Sequence, residues 1–376
     1  MTASGSTTVL FAGGGTGGHL YPGLAIARAL RELDPTIQPF FVGARRGIER
    51  DILPGSGFPF ELLDLHPLYR QRPWENWRTL RGATSAWRRM TRIRAERRPT
   101  TVVGTGGYAS GIALAYAAVH RIPYAIQEQN SAAGLTVRLF SRWASEIYLG
   151  FPEALGALHP GRQARVLDTG NAIEPPPALR PTRLEALARW RLGQDVDATV
   201  LLVTGGSQGA RALNEAVGAW VRRGLPDGLR LIWATGRKNY EEFAPLASSK
   251  VRVEPYISTI ADAYAAADLA LTRAGAMTTA ELCAWNLPSV LVPLPTAAAD
   301  HQSANARALA DAGAAVFLPQ SELSADRLEA EIGALVADVP RLDRMREAAA
   351  ARARPDAAMR IATRVLSLAR GLPPAV

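Results

Sequence analysis

The chain has 376 residues, enough for two domains of ordinary size, and 48% of them are hydrophobic, so it can build proper cores. The formal net charge is +9, carried almost entirely by arginine, and Cys283 is the single cysteine. One cysteine excludes an intrachain disulfide and a cysteine-based metal cage, and it fits a reducing cytoplasm. We expect no membrane span and no signal peptide, because no stretch is long and apolar enough and the first residues lack a basic region.

The first half of the chain alternates predicted strands with predicted helices. Apolar runs predict strands at residues 9–12, 37–42, 60–65, 101–103 and 124–126, and helices at residues 24–30 and 112–119. Two of the strands lead into glycine-rich turns, Gly13-Gly14-Gly15-Thr16-Gly17-Gly18-His19 and Gly104-Thr105-Gly106-Gly107-Tyr108. Glycine lets a backbone bend tightly and approach a ligand, and a following helix N-terminus adds partial positive charge. These turns therefore predict sites for a polar or charged ligand.

A proline-rich segment at residues 169–182 predicts a linker between two domains. Beyond it, strands are predicted at residues 199–204, 229–234, 251–253, 269–271 and 289–292, and the tail from Leu323 is predicted helical. A third glycine-rich turn, Gly205-Gly206-Ser207-Gln208-Gly209, follows the first of these strands. The alternation predicts an α/β fold with parallel sheets, in which ligands bind at the carboxyl ends of strands. All three turns lie at such ends, so we expect two sheets that face one cleft.

Residues 66–98 hold ten arginines and two glutamates, so this segment carries +8 (10 − 2) of the net charge. Three tryptophans lie among them, and residues 77, 80, 84 and 87 fall at helical spacing. We predict a membrane patch in which one helix face inserts into an anionic surface, formed by Trp74, Trp77, Arg81, Trp87 and Arg88. The alternative is that the tryptophans pack inward and the arginines form a solvated face. Nucleic acid is not expected as a partner, because the rest of the chain carries only +1 (9 − 8).

Three other motifs suggest different chemistry. The pattern Gly13-x-Gly15-x-x-Gly18 matches the dinucleotide fingerprint, and two arginines after the second strand, Arg45 and Arg46, suit a 2′-phosphate, so an NADP enzyme stays an alternative. Asp195-Val196-Asp197 resembles a metal-binding pair, but it precedes a strand, at the wrong edge of the sheet, so we expect no metal site there. Cys283 lies among alanine and leucine in a predicted helix and is expected in the core.

Taken together, the motifs resemble those of the MurG family of bacterial peptidoglycan glycosyltransferases, glycosyltransferase family 28. The resemblance covers most of the chain. It rests on the three glycine-rich turns with Pro22, and on Ser110-Gly111, Glu128-Gln129-Asn130 with Gly134-Leu135-Thr136, Ala210, Gly275-Ala276 with Thr278 and Glu281, and His301-Gln302 with Asn305-Ala306. It implies a GT-B fold of two Rossmann-like domains. The acceptor site then lies in residues 1–168 and the UDP-sugar site in residues 183–355, while a last helix, residues 356–376, packs back on the first domain.

The activity implied by the resemblance is inverting transfer of N-acetylglucosamine from UDP-N-acetylglucosamine to the C4 hydroxyl of the muramoyl sugar of lipid I. The product is lipid II, a precursor of peptidoglycan, and no cofactor is implied. A lipid-linked acceptor implies a peripheral protein at the cytoplasmic face of the inner membrane. Three alternatives stay open: a related transferase with another lipid or natural-product acceptor, a non-catalytic sugar-nucleotide binding protein, and a UDP-N-acetylglucosamine 2-epimerase.

The same resemblance implies a donor site. Ser207, Gln208 and Gly209 belong to its phosphate loop, Glu281 accepts hydrogen bonds from the ribose hydroxyls, and the backbone of Ile257 reads uracil. The remaining donor-binding positions are Thr16, Gly17, Gly18, Asn130, Ala276, Met277, Thr278, His301, Gln302 and Asn305. A glycine turn and a helix N-terminus can receive the diphosphate without a metal ion, so none is expected in the site.

An inverting transfer needs a base that takes the proton of the acceptor hydroxyl, and histidine titrates in the range this task requires. The resemblance marks His19 as a proposed base. The alternative is that His19 binds the acceptor diphosphate or orients its loop. Glu128 is the second catalytic candidate, either orienting His19 or replacing it, and the acceptor-side positions are Gly14, Gly15, His19 and Tyr108.

The linker departs from the family pattern Gly-Asn-Pro-Val-Arg, whose arginine helps to bind the donor. Here it reads Gly170-Asn171-Ala172-Ile173-Glu174, so a carboxylate stands where the family has a cation. Either another arginine, such as Arg211 or Arg273, compensates, or donor affinity is lower, or Glu174 faces solvent.

Overall fold

The computed structural model describes residues 7–66, 74, 76–192, 197–206 and 209–373. The chain divides into two compact units. Met1–Glu174 and Pro355–Val376 form the first unit, and Pro175–Arg354 form the second. The last segment of the chain therefore folds with the first one.

The first unit contains a parallel sheet with the strand order β3-β2-β1-β4-β5-β6-β7, counted over the described residues. Its strands are β1 (Thr8–Ala12), β2 (Gln38–Ala44), β3 (Phe60–Leu63), β4 (Thr101–Gly104), β5 (Tyr124–Glu128), β6 (Glu146–Leu149) and β7 (Arg165–Asp168). Its helices are α1 (Gly17–Leu33), α2 (Glu49–Ile52), α3 (Asn76–Arg97), α4 (Gly107–Val119), α5 (Leu135–Phe140) and, from the end of the chain, α14 (Ala357–Ala369).

Strand β1 lies at the centre of this sheet and is buried on both faces, which explains its continuous apolar sequence. Val9 and Phe11 face a core shared with α1 and α14, whereas Leu10 and Ala12 face a core shared with α3 and α4. An ion pair also holds α14, because Arg364 donates two hydrogen bonds of 2.8 Å to the buried carboxylate of Glu146. Both sheet faces are therefore covered, and the carboxyl edge carries the glycine-rich turns.

The second unit contains a parallel sheet with the strand order β10-β9-β8-β11-β12-β13, again counted over the described residues. Its strands are β8 (Thr199–Thr204), β9 (Leu229–Ala234), β10 (Val251–Glu254), β11 (Leu269–Thr272), β12 (Ser289–Leu291) and β13 (Ala315–Phe317). Its helices are α6 (Arg183–Trp190), α7 (Arg211–Arg223), α8 (Tyr240–Phe243), α9 (Ile260–Ala266), α10 (Ala276–Ala284), α11 (His301–Asp311), α12 (Ala325–Ala337) and α13 (Val339–Arg352). Two fully buried tryptophans, Trp220 and Trp233, anchor its core.

The fold confirms the predicted α/β class and its parallel sheets, and it adds strands that no sequence pattern indicated. These are β6, β7 and β13, each of only three or four residues. The predicted strand at residues 60–65 ends at Leu63. Strand β6 was not predicted because it begins with a charged residue, the buried Glu146, which a search for apolar runs does not include. Within the described residues, no helix is long and apolar enough to cross a membrane.

Candidate functional site

Two glycine-rich turns meet at the carboxyl edge of the first sheet, because β1 and β4 are neighbouring strands. Gly106 and Gly107 have φ angles of +92° and +73°, which side chains rarely adopt. A Cβ atom built on Gly107 would lie 2.1 Å from the carbonyl oxygen of Gly14 and 3.1 Å from Nδ1 of His19. A Cβ on Gly106 would lie 2.8 Å from Cδ2 of His19. Only glycine therefore lets the second turn enclose the imidazole of the first.

His19 lies in the first turn of α1 and is half-buried. Its Nδ1 lies 3.1 Å from Oγ1 of Thr16, and its carbonyl oxygen accepts a hydrogen bond of 2.7 Å from the hydroxyl of Thr105. In the tautomer with hydrogen on Nδ1, the ring donates to Thr16 and Nε2 carries the lone pair that a base requires. The orientation of the ring is thus tied to a residue of the same turn.

Tyr108 lies against the first glycine turn. A Cβ atom on Gly15, whose φ is +85°, would lie 2.9 Å from Cε1 of the tyrosine ring. The structure therefore brings together four of the predicted positions, Gly14, Gly15, His19 and Tyr108. Thr16, Gly17 and Gly18 flank them, and Thr16 and Gly18 are exposed.

The carboxylate of Glu128 is buried at the end of β5. Its Oε1 accepts hydrogen bonds from the backbone and side-chain nitrogens of Asn130, at 2.9 and 3.2 Å, and its Oε2 accepts from the backbone of Gly134 at 2.8 Å. These three hydrogen bonds engage both oxygens of the carboxylate. In this structure Glu128 organises the turn that presents Asn130, and its two predicted roles, orienting His19 or replacing it as the base, stay predictions.

A buried amide network next to this turn has no counterpart in the sequence prediction. Gln127 donates to Oδ1 of Asn171 at 3.0 Å, Asn171 donates to the carbonyl of Gln129 at 2.9 Å, and Gln129 donates to the carbonyl of Thr105 at 2.8 Å. The network joins β5, the second glycine turn and the start of the linker. The run of polar residues at positions 127–130 after an apolar strand is the only sequence signal for it.

In the second unit, the third glycine turn follows β8 and leads into α7. Gly209 has a φ angle of +73°, and a Cβ atom there would lie 2.5 Å from the carbonyl oxygen of Thr235 and 3.0 Å from Cα of Gly236. The turn therefore packs tightly on the loop that follows β9. Ser207 and Gln208, predicted for the phosphate loop, lie outside the described residues, as does most of the Asp195-Val196-Asp197 motif.

Glu281 lies on α10, half-buried, and its Oε2 accepts a hydrogen bond of 2.8 Å from the hydroxyl of Tyr264. Burial, together with the charge of Glu281, raises the pKa of Tyr264 well above its usual value, so this hydroxyl stays a donor. The carboxylate is thus fixed in orientation. Ala276, Met277 and Thr278 form the first turn of the same helix.

The predicted sugar-binding residues of α11 lie in different environments. Asn305 is fully buried and donates to the carbonyl of Ala274 at 3.2 Å, so its side chain holds α11 to the turn before α10. Gln302 accepts from the backbone of Leu294 at 2.9 Å. Nδ1 of His301, the first residue of α11, is buried without a hydrogen-bond partner among the described residues. Two left-handed residues, Ala299 and Asp300, precede it.

Ile257, the predicted uracil reader, lies buried in the loop after β10. This loop lines a cavity of about 240 Å³ through Tyr256 and Thr259, together with Trp190 of α6, Glu254 of β10 and Asp262 of α9. A nucleobase and its ribose carry the hydroxyls and carbonyls that such a polar lining can bind.

In this unit Cys283 is buried as expected, and burial raises the pKa of its thiol to about 11, so it is inert.

Neither arginine suggested as a substitute for the linker cation is free to act as one. Arg273 is buried and donates to the carbonyls of Val292 and Pro293 and, at 2.7 Å, to Oε1 of Gln320. Burial lowers the pKa of this guanidinium. Arg211 is exposed and forms ion pairs with two glutamates of the surface, Glu215 and Glu242. Glu174 itself is exposed.

Two other cations lie beside the third glycine turn. Arg237 and Lys238 directly follow Gly236, which Gly209 contacts, and both are exposed. The guanidinium of Arg237 lies 5.9 Å from the ring centroid of Tyr256, next to Ile257. Neither cation forms an ion pair with any residue that the structure describes. Residue type alone does not mark them as functional, because a basic pair in a loop is a common surface feature.

The predicted membrane patch is divided in the structure. Trp74 and Trp77 are 71% and 57% exposed, and Arg81 and Arg88 are exposed as well. Trp87 differs from the expectation: it packs inward, with its ring centroid 4.9 Å from that of Tyr116, at the edge of the core. The reason is that α3 already faces the sheet through positions 86, 90 and 93, which adjoin 87 on the helix. Arg70 and Arg72 lie outside the described residues.

Solved structures define the class of this protein. The crystal structure of Acinetobacter baumannii MurG matches with a TM-score of 0.75 and 29% identity, covering 95% of this chain and 98% of that chain. The calicheamicin glycosyltransferase CalG4 shares the fold with a TM-score of 0.69 at 18% identity, covering 98% of this chain and 100% of that chain. With its two parallel α/β units, the chain is a glycosyltransferase of the GT-B fold, as predicted.

Sequence comparison then gives the family. The Glycosyltransferase family 28 N-terminal domain matches residues 9–149, and the Glycosyltransferase family 28 C-terminal domain matches residues 200–361. The chain therefore belongs to glycosyltransferase family 28. A relative from Desulforudis audaxviator is 43% identical over 93% of this chain and 95% of its own length, and is named UDP-N-acetylglucosamine–N-acetylmuramyl-(pentapeptide) pyrophosphoryl-undecaprenol N-acetylglucosamine transferase. The predicted family is confirmed, and the NADP alternative is not favoured.

Proposed function

We propose that this enzyme transfers N-acetylglucosamine from UDP-N-acetylglucosamine to the C4 hydroxyl of the muramoyl sugar of lipid I, forming lipid II. The observation that carries the proposal is the imidazole of His19, enclosed by two glycine turns beside Gly15 and Tyr108. The relative of 43% identity carries the name of this activity over almost its whole length. The 2-epimerase alternative is weaker, because a 2-epimerase structure matches at only 14% identity and supports the fold alone.

In the proposed reaction, the acceptor oxygen attacks the anomeric carbon as His19 takes its proton on Nε2. A carbon–oxygen bond forms on one face of the sugar, the bond from the anomeric carbon to the diphosphate breaks on the other, and UDP leaves with the electron pair. The configuration is therefore inverted. Backbone N–H groups at the third glycine turn and at the start of α7 would stabilise the charge that develops on the leaving diphosphate.

In the proposed donor site, Glu281 binds the ribose and the backbone of Ile257 binds uracil. The diphosphate is bound by Ser207, Gln208 and Gly209. Arg237 and Lys238 take the place of the family's linker arginine. The support for this is their position on the loop that Gly209 contacts, together with the engagement of Arg211 and Arg273 elsewhere. A flexible, exposed cation beside a dianionic group supplies charge without requiring a fixed linker geometry.

We also propose peripheral association with the cytoplasmic face of the inner membrane. Trp77, in the first turn of α3, and Trp74, which precedes the helix, offer exposed apolar surface. Exposed apolar residues also recur at four-residue spacing through α5 and beyond, at Leu135, Leu139 and Trp143, and Arg138 and Arg142 alternate with them. Helices α3, α4 and α5 pack on one face of the sheet, so these side chains belong to one layer. Aromatic and basic residues in such an arrangement suit an anionic bilayer surface.

The direct test is incubation of the purified protein with labelled UDP-N-acetylglucosamine and a lipid I analogue, with and without exhaustive chelation. We expect a labelled disaccharide product that depends on the acceptor and persists in the chelator. Conversion of the donor in the absence of any acceptor would instead support the epimerase. A strict requirement for Mg²⁺ or Mn²⁺ would contradict the metal-free mechanism.

A further inference from the structure

A fully buried carboxylate lies beneath the first glycine turn. Glu49 begins α2, and its Oε2 accepts a hydrogen bond of 3.0 Å from the backbone N–H of Gly15. Its Oε1 accepts one of 3.0 Å from the backbone N–H of Ala44, the last residue of β2. Glu49 thus joins the end of one strand to the turn that follows its neighbour.

Three glycines make room for this carboxylate. A Cβ atom would lie 1.9 Å from Oε1 of Glu49 at Gly14, 1.9 Å from Oε2 at Gly47, and 2.8 Å from Cβ and Cγ at Gly43. Among the residues that the structure describes, no cation pairs with Glu49. Burying a carboxylate that is held only by backbone N–H groups costs free energy of desolvation. A site shaped around such a carboxylate therefore indicates that it holds the backbone in a geometry that other residues do not provide.

The turn held by Glu49 is the one that carries His19, the candidate base. Gly15 contacts the ring of Tyr108, and the next residue, Thr16, lies 3.1 Å from Nδ1 of His19. We propose that Glu49 is a positioning residue for the transfer reaction, which holds Gly15 and Thr16 so that His19 and Tyr108 meet the acceptor in one geometry. This inference rests on the proposed function. It also means that the N–H of Gly15 is used within the protein and does not bind an acceptor phosphate.

The first test is Glu49→Gln. A glutamine amide can accept from one of the two backbone N–H groups but directs its NH₂ group against the other, so the turn is released on one side. A small misplacement of reacting groups costs about 10²-fold in rate, so we expect kcat to fall by about that factor. The affinity for UDP, measured by calorimetry, should stay within about twofold, because the proposed uracil, ribose and phosphate contacts lie in the second unit.

The matched control is Asp34→Asn. Asp34 is also buried and also accepts backbone and side-chain hydrogen bonds, from Thr36, but it lies at the far end of α1. We expect this variant to lose stability and keep its kcat. An equal loss of kcat in both variants would mean that Glu49 has only a general structural role and would overturn the inference.

A second variant covers the case in which Glu49→Gln fails to fold. Gly47→Ala keeps the carboxylate but pushes a methyl group against it, and Gly47 is not in the left-handed region, so the backbone tolerates alanine. Gly55→Ala, which meets nothing within 4 Å, is its control. We expect Gly47→Ala to lower kcat as Glu49→Gln does and Gly55→Ala to leave it unchanged.

A readout besides activity separates this inference from the proposed function. The NMR signals of the His19 imidazole should shift in Glu49→Gln and Gly47→Ala and stay in place in Asp34→Asn and Gly55→Ala. Unchanged imidazole signals and an unchanged kcat in folded Glu49 and Gly47 variants would overturn the positioning role. Failure of the unmodified enzyme to form any disaccharide would overturn the proposed function alone, because the imidazole signals would still report on the turn.

Discussion

At the scale of single residues, the two candidate catalytic side chains have different surroundings. One ring nitrogen of His19 contacts Thr16, whereas both carboxylate oxygens of Glu128 accept hydrogen bonds from Asn130 and Gly134. A base must have a lone pair within reach of the proton it takes. We therefore expect loss of the His19 imidazole to affect the chemical step first.

His19→Ala should lower kcat by about 10²–10⁴-fold, the usual contribution of general base catalysis, and leave UDP affinity unchanged. Steady-state kinetics with a soluble acceptor and calorimetry with UDP measure the two effects. His159→Ala, which removes an exposed histidine of the same unit, is the control. Retention of most of the kcat would exclude His19 as the base and return Glu128 to consideration.

Donor binding should depend on Glu281, because Tyr264 orients its carboxylate. Glu281→Ala should weaken UDP binding by about 1.5–3 kcal/mol, the value of a hydrogen bond to a charged group. Calorimetry measures it, with Glu322→Ala, an exposed carboxylate of the same unit, as the control. Unchanged UDP affinity in a folded Glu281 variant would contradict the assignment.

Arg237 offers a separate test of how the diphosphate is neutralised. Arg237→Ala should weaken the binding of UDP more than that of uridine, and the difference should shrink as salt is added, because exposed charges are screened. Arg211→Ala is the matched control, since its guanidinium is paired with Glu215 and Glu242. If both variants bind UDP equally well, another group opposes the diphosphate charge.

At the scale of elements, α3 and α5 carry the proposed membrane contact. Because Trp87 packs against Tyr116, the exposed aromatic surface of α3 lies at its first turns, near Trp77, and α5 extends the surface through Leu139. An element that contributes both to a core and to a bilayer contact must divide its faces between them. Substitution at its outer face should then leave folding intact.

Trp77→Ala combined with Arg88→Glu should reduce co-sedimentation with anionic vesicles, and added salt should reduce that of the unmodified protein. Turnover of a soluble short-chain acceptor should be retained. Leu179→Ala with Arg222→Glu makes an equivalent apolar and charge change on exposed positions of the second unit and should have no effect. Equal sedimentation of all three proteins would leave α3 an ordinary surface helix.

At the scale of the whole molecule, the last helix folds with the first segment of the chain. α14 shares a core with α1 through Ile361, Ala362 and Val365, and Arg364 pairs with Glu146. The side chains of this ion pair are 11% and 5% exposed, so breaking it leaves a charge buried without its partner.

Arg364→Ala should therefore destabilise the first unit by about 3–5 kcal/mol, the usual cost of removing one partner of a buried pair. Denaturant unfolding followed by far-UV circular dichroism measures the change. Arg360→Ala removes an exposed arginine of the same helix and should change stability by less than about 0.5 kcal/mol. A similarly small effect of Arg364→Ala would mean that apolar packing alone holds α14.

Local features of the chain were predictable because their causes are local. A buried strand must be apolar, and a turn with positive φ needs glycine, so β1, β4, β8 and their turns, with φ of +92° at Gly106 and +73° at Gly209, follow from short windows. The motifs within these windows also indicated the family. Short strands such as β7, whose residues are exposed at both ends, give no such pattern and were missed.

By itself, then, the sequence determined the α/β class, the three glycine turns, the family and the residue types of the site. Tertiary structure alone decided which groups meet: Gly15 with Glu49 across 34 positions, Gln127 with Asn171 across 44, and Arg364 with Glu146 across 218. It also turned Trp87 inward and placed the guanidinium of Arg273 against the carbonyl oxygens of Val292 and Pro293. The physical reason is that a hydrogen bond or a packed ring depends on where the chain returns in space, and residue type and spacing along the chain do not specify that return.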